Sequence, residues 1–299
     1  MTITDVEVRE IEMHAIEIRE SIIGMLLKAG SGHTAGPLGM ADVFATLYFK
    51  VLNHNPAAPD WKHRDRVILS NGHICPVLYA TMAHSGYFHI AELATLRKFG
   101  SRLQGHPHRE FLPCVETSSG PLGSGLSQAI GMALADRLDK KMASMSISNE
   151  PYQSKYFYTF MGDGEMNEGQ VWEALLLLGK EKLANVIVII DRNRIQIDGN
   201  TEDVMPLDPL DHKLENFNLN VIEIDGHDVR QIAQALQIAK ESNLNNTNKA
   251  TVIIANTIPG KGYVKAEGDY RWHGKSPTAA EAEEALEGMR TLYGRLNNN

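Results

Sequence analysis

Apolar residues along the chain follow two rhythms, changing near residue 155. In the first part helical spacing prevails. Ile11, Ala15, Ile18 and Ile22 recur every three or four positions and predict an amphipathic helix over 5–29. Gly30-Ser31-Gly32 ends it, and a loop containing Gly36, Pro37 and Gly39 leads to a second helix over 40–51. Val67-Ile68-Leu69-Ser70 reads as a short strand running into Asn71-Gly72-His73. Helices are expected over 76–84 and 91–98, a loop over 100–123, and a helix over 124–140. Gly125, Ala129, Gly131, Ala133 and Ala135 give that last helix small faces, where a neighbour is expected to approach closely.

In the second part short apolar runs at 156–161, 186–191, 221–224 and 250–255 alternate with helical segments at 168–182, 209–216 and 228–241. Polar segments lie at 144–154 and 243–248. A long loop with four glycines fills 257–277, and a last helix covers 278–293. Strand–helix alternation is the pattern of a parallel sheet joined by right-handed crossovers. The expected fold class is α/β: a three-layer helix–sheet–helix domain with a mostly parallel central sheet, a single domain over 1–299 without repeats.

Composition narrows the partners. With 43% hydrophobic and 22% charged residues the chain is an ordinary globular one. A net charge of −8 leaves no basic excess for nucleic acid. No apolar run approaches the roughly 20 residues that cross a bilayer, and Asp5, Glu7, Glu10 and Glu12 are unlike a signal peptide. Cys75 and Cys114 make neither a disulfide framework nor a metal quartet, so a reducing, cytoplasmic setting is expected.

Candidate chemistry gathers at two strand ends. The run 157–161 stops in Gly162-Asp163-Gly164, and the next stops in Asp191-Arg192-Asn193-Arg194-Ile195. In an open α/β sheet ligands sit beyond the carboxyl ends of the strands. Mg²⁺ takes one or two carboxylate or carbonyl oxygens, with phosphate oxygens and water completing an octahedron. Asp163, the side-chain oxygen of Asn193 and a main-chain carbonyl near Ile195 suit it. Gly-Asp-Gly alone is commonly a tight turn; the second strand end is what gives it weight. Four of the 12 histidines, His33, His73, His106 and His273, sit in separate glycine-containing loops, which suits one shared pocket. A zinc site is the rival reading, but the histidines lack i, i+4 spacing and no cysteine pair supports it.

Together these segments resemble the N-terminal, diphosphate-binding half of transketolase. The resemblance is carried by Gly32-His33-Thr34-Ala35-Gly36-Pro37-Leu38-Gly39, Leu69-Ser70-Asn71-Gly72-His73, Gly120-Pro121-Leu122-Gly123-Ser124-Gly125, Gly162 through Gly169, Asp191 through Gly199, Thr257 through Gly262, and Trp272-His273-Gly274. It implies the thiamine-diphosphate-binding fold, thiamine diphosphate as cofactor, and Mg²⁺, Ca²⁺ or another divalent cation on Asp163, Asn193 and the Ile195 carbonyl. It also implies that His73, Gly162, Gly164 and His273 meet the diphosphate and that Gly120 and Leu122 line the cleft. His33, His106 and His273 would face the sugar. Glu168 would reach across a dimer interface toward a glutamate of the other active-site domain.

The implied activity is transfer of a two-carbon ketol unit from a ketose, typically a sugar phosphate, to an aldose, as in pentose phosphate metabolism. The family's pyrimidine-binding and C-terminal domains do not follow within the 299 residues. A C-terminal transketolase subunit carrying the pyrimidine-binding domain is therefore the expected partner, in an α2β2 heterotetramer. The residues that hold the substrate's acid group are expected on that partner. Other readings are the α subunit of a 2-oxoacid dehydrogenase, a deoxyxylulose-phosphate-synthase-like enzyme, and a regulatory or scaffold subunit that keeps the fold. The first leaves Gly-His-x-x-Gly-Pro-Leu-Gly and Ser-Asn-Gly-His unexplained.

Overall fold

The computed structural model describes residues 3–113, 115–145, 152–244 and 249–297. Cys114, much of the polar segment at 144–154 and residues 245–248 of that at 243–248 lie outside them. Helix α1 (Asp5–Ala29) opens with a capping box: the Thr4 hydroxyl accepts the Glu7 N–H, and the Glu7 carboxylate accepts the Thr4 N–H at 2.9 Å. It closes at Gly30, which is left-handed. Helices α2 (Ala35–Gly39) and α3 (Ala41–Thr46) follow, then β1 (Arg66–Leu69), α4 (Cys75–His84) and α5 (Ser124–Met145). The second part runs β2 (Phe157–Gly162), α6 (Gly169–Glu181), β3 (Val186–Arg192), a small hairpin of β4 (Ile195–Gln196) and β5 (Gly199–Asn200), α7 (Thr201–Val204), α8 (Leu210–Glu215), β6 (Asn220–Asp225), α9 (Val229–Leu244), β7 (Thr251–Asn256) and α10 (Ala279–Asn297).

β1-β2-β3-β7-β6, in that order, make one fully parallel sheet, as the α/β reading expects. Alternate side chains of a strand point to opposite faces, and here each face has its own core. Tyr158, Phe160, Ile187, Ile189 and Ile253 pack with α1, α3, α4 and α9. Phe157, Met161, Val186, Val188, Ile190, Val252 and Ile254 pack with α5, α6 and α8. Burial on both faces is why these strands read as unbroken apolar runs. Among the described residues no helix is long and apolar enough to cross a membrane.

Three expected elements differ. The helix over 40–51 is split: α2 begins earlier, with Pro37 in its first turn where no N–H is needed, and Leu47–Val51 is a π-helical turn. The segment 91–98 forms only a 3₁₀ turn, Ile90–Thr95, and the chain leaves it at Arg97 in the left-handed region, φ 59°. The small faces of α5 are also unequal. Gly125 approaches Ser70 so closely that a Cβ would lie 2.4 Å from the Ser70 Cβ, whereas Gly131 is exposed with nothing within 4 Å.

The tightest helix glycine is instead Gly179 of α6, whose Cβ would lie 1.9 Å from the Phe217 carbonyl oxygen. The two positions therefore respond oppositely to alanine. Gly131→Ala is expected to stabilise the chain by up to about 1 kcal/mol through helix propensity. Gly179→Ala is expected to destabilise it by about 1–3 kcal/mol through overpacking. Thermal melts of the two variants against the parent check the signs.

Candidate active site

Register places the chemistry. Leu69 pairs with Phe160, and Gly162 with Asp191, so the chain just beyond the ends of β1, β2 and β3 brings Asn71, Asp163 and Asn193 to one edge. Beyond that edge lies a cavity of about 400 Å³. Its walls include His33, His73, His106, His273, Gly120, Leu122, Gly162, Asp163, Gly164, Asn193 and Ile195. These come from seven separate stretches of sequence. Glu168 stands apart: it is exposed, at the start of α6, beside the 120–123 loop.

Three imidazoles form a cluster at the cavity wall. Ring centroids are 4.9 Å apart for His33 and His73, 5.1 Å for His73 and His273, and 5.4 Å for His33 and His273. The Thr34 hydroxyl donates to the Lys275 carbonyl at 2.5 Å and ties the His33 and His273 loops together. Nδ1 of His33, Nδ1 of His273 and Oδ1 of Asn71 are buried without a protein partner. Buried polar atoms are normally paired, so three orphans on one wall mark a place for a polar ligand.

Burial, with the charges of His273, Arg97 and His106 adding, holds His33 down to about 4. His73 is pushed well below its ordinary value by burial first and then by His273, His33 and His106. His106 and His273 are also lowered, both chiefly by burial. Arg97 reaches this region because its guanidinium packs on Gly105, where a Cβ would lie 2.7 Å from Cζ.

Four imidazoles are thus neutral at pH 7, each able to donate from one nitrogen and accept at the other. Because their folded pKa values lie below the unfolded one, the unfolded chain binds more protons in acid. This contribution to stability is complete above the ordinary histidine value, near 6.5. It is lost as pH falls from there toward 4, the value for His33. The melting temperature of the chain is expected to fall across that window, and less steeply in His73→Asn. An equal slope in the two proteins would contradict the assignment.

Other parts of the lining are acidic. Asp163 is 1% exposed; its Oδ2 accepts from Arg192 Nη1 at 3.0 Å and the Arg194 N–H at 2.8 Å, and its Oδ1 accepts the Gly164 N–H at 2.7 Å. A carboxylate has about four lone-pair sites, which leaves room on Oδ1. Asn193 is held by its amide, which donates to Asp191 Oδ2 at 2.7 Å, while its Oδ1 accepts the Ile195 N–H at 3.0 Å. Arg194 in the left-handed region makes the turn that presents these N–H groups.

Burial pushes Asp163 above its ordinary range despite Arg192. Asp191 is pushed up to about 7 by burial and by Asp163, against hydrogen bonds from Thr257 and Asn193. Two buried carboxyls with insufficient positive charge beside an amide oxygen fit a hard divalent cation. Among the described residues no trio of His, Cys, Asp or Glu makes a closed metal site.

Sequence reading did not single out Asn71, Glu165, Asp191 or Arg192. Asn71 and Asp191 carried a signal, since each ends an apolar run. Glu165 and Arg192 carried none: charged residues read as solvent-exposed, yet both are buried.

The family model for the transketolase thiamine diphosphate binding domain matches residues 12–296. The 6-deoxy-6-sulfo-D-fructose transketolase subunit SqwG of Clostridium sp. (strain MSTE9) is 37% identical over 284 residues, covering 93% of this chain and 98% of that one. An apulose-4-phosphate transketolase subunit from Phocaeicola vulgatus is 36% identical over 280 residues, with 94% of both chains covered. The transketolase structure from Leishmania mexicana superposes with a TM-score of 0.86 at 32% identity, covering 98% of this chain and 42% of that one.

Proposed function

The chain belongs to the transketolase family through its thiamine diphosphate binding domain, and on that premise we propose that it is the diphosphate-binding subunit of a two-chain transketolase in the cytoplasm. The observation that carries the reading is the convergence of four loop histidines and the Asp163–Asn193 edge on one cavity. When bound, thiamine diphosphate supplies the carbon nucleophile and electron sink for making and breaking a carbon–carbon bond. Asp163 Oδ1, Asn193 Oδ1 and the Ile195 carbonyl hold Mg²⁺ or a similar cation. Gly162, Gly164, His73 and His273 receive the diphosphate. Gly120 and Leu122 close the cleft beside it.

Neutral His33, His106 and His273 orient the sugar by hydrogen bonds to its hydroxyl and carbonyl oxygens, and can take or return a proton at a ring nitrogen. Glu168, outside the cavity, meets a carboxylate of another subunit. The partner is a C-terminal transketolase subunit with the pyrimidine-binding domain, in an α2β2 assembly. Support comes from relatives that are themselves transketolase subunits and whose length this chain matches almost end to end. The donor is a ketose with an anionic end, phosphate or sulfonate. Assay of the assembled enzyme for ketol transfer and for 2-oxoacid decarboxylation tests the class: transfer alone is expected, and decarboxylation alone would replace the reading with the 2-oxoacid dehydrogenase one.

A further inference from the structure

Glu165 is 3% exposed, and among the described residues no cation pairs with it. Both its oxygens are nevertheless occupied. Oε1 accepts the Ser70 hydroxyl at 2.5 Å and the Gly123 N–H at 2.6 Å, and Oε2 accepts the Gly162 N–H at 3.1 Å. Ser70 Oγ in turn accepts the Gly125 N–H at 3.0 Å. These donors lie on three segments far apart in sequence: the end of β1, the 120–125 loop and the end of β2.

Local geometry aims them at the carboxylate. Gly123 is left-handed, φ 80°, and a Cβ there would lie 2.9 Å from Gln170 Cγ, so the loop can turn its N–H inward only with glycine. Gly125 must lack a Cβ for Ser70 to come within reach. A buried carboxylate is tolerated only where donors replace its water. An apolar residue at this position would leave Ser70, Gly123 and Gly162 without acceptors. The carboxylate therefore shapes the wall on which Gly120, Leu122 and Gly162 stand, and it lines the same cavity.

We infer that Glu165 is a positioning residue: it clasps the ends of β1 and β2 to the 120–125 loop and so sets the diphosphate end of the cavity, acting through the backbone of those segments. The inference rests on the cofactor reading above. Glu165→Gln is the sharpest probe, because it keeps size and one acceptor but turns an N–H toward the Gly162 N–H. Ser70→Ala removes one donor and leaves the carboxylate in place.

Each variant is assembled with its partner chain and titrated with thiamine diphosphate in Mg²⁺ by calorimetry. Turnover at saturating cofactor is then measured. Losing one charge-assisted hydrogen bond corresponds to a rise of roughly tenfold in Kd. Glu165→Gln is expected to show that rise with kcat at saturation nearly unchanged, and Ser70→Ala a smaller rise in the same direction. If Glu165→Gln does not fold, as its melt would show, Ser70→Ala carries the test. Parental Kd values in the folded variants would overturn the inference. So would a collapse of kcat at unchanged Kd, which would make Glu165 part of the chemistry. Failure of the parent assembly to bind thiamine diphosphate would overturn the cofactor reading instead.

Discussion

Asp163→Ala is expected to reduce the activity of the assembled enzyme by about 10³-fold, the equivalent of roughly 4 kcal/mol of lost metal and diphosphate stabilisation. The chain should still fold. Breaking a buried ion pair is costly when it strands the partner charge, but Arg192 keeps Glu202 at 2.6 Å and Asp208 at 2.9 Å. The melting temperature without cofactor should therefore fall only modestly, while the rise produced by thiamine diphosphate and Mg²⁺ disappears. Asp163→Asn separates charge from shape: it keeps the acceptor toward Gly164 but removes the negative charge, and its activity should lie near that of the alanine variant. Activity and cofactor-induced stabilisation both at parental levels in Asp163→Ala would remove the metal from this edge.

How far the site was visible beforehand follows from the physics of each residue. The central strands β2, β3 and β7 were legible because they are buried on both faces and so are almost wholly apolar, and Asp163 and Asn193 were legible as polar residues just beyond the ends of two of those runs. Histidines beside glycine stood out because loops seldom need them for packing. Arg192 and Glu165 were hidden because their burial depends on partners distant in sequence or on a turn that only the fold closes. Arg192 answers Asp163, Glu202 and Asp208; Glu165 answers Ser70, Gly123 and Gly162. The β4–β5 hairpin was missed because two-residue strands have no period to detect. The helix over 91–98 failed because its side chains favour a helix while the path of the chain at Arg97 requires a left-handed residue.

Partner dependence is the second large effect. The cavity is lined by imidazoles and by carboxylates, and the proposed function assigns them to the diphosphate end. This chain matches 42% of the Leishmania mexicana transketolase chain. Glu168 and its neighbours at the start of α6 are exposed, where another subunit can reach them. Adding the partner should therefore raise ketol transfer from background to a rate ordinary for enzymes, on the order of 1–10³ s⁻¹.

The direct test follows two-carbon transfer from a ketose phosphate to an aldose phosphate in thiamine diphosphate and Mg²⁺, using this chain by itself, its partner by itself and the two mixed. Transfer in the mixture and in neither component by itself is the expected result. Turnover by this chain without its partner at the rate of the mixture would contradict the two-chain account.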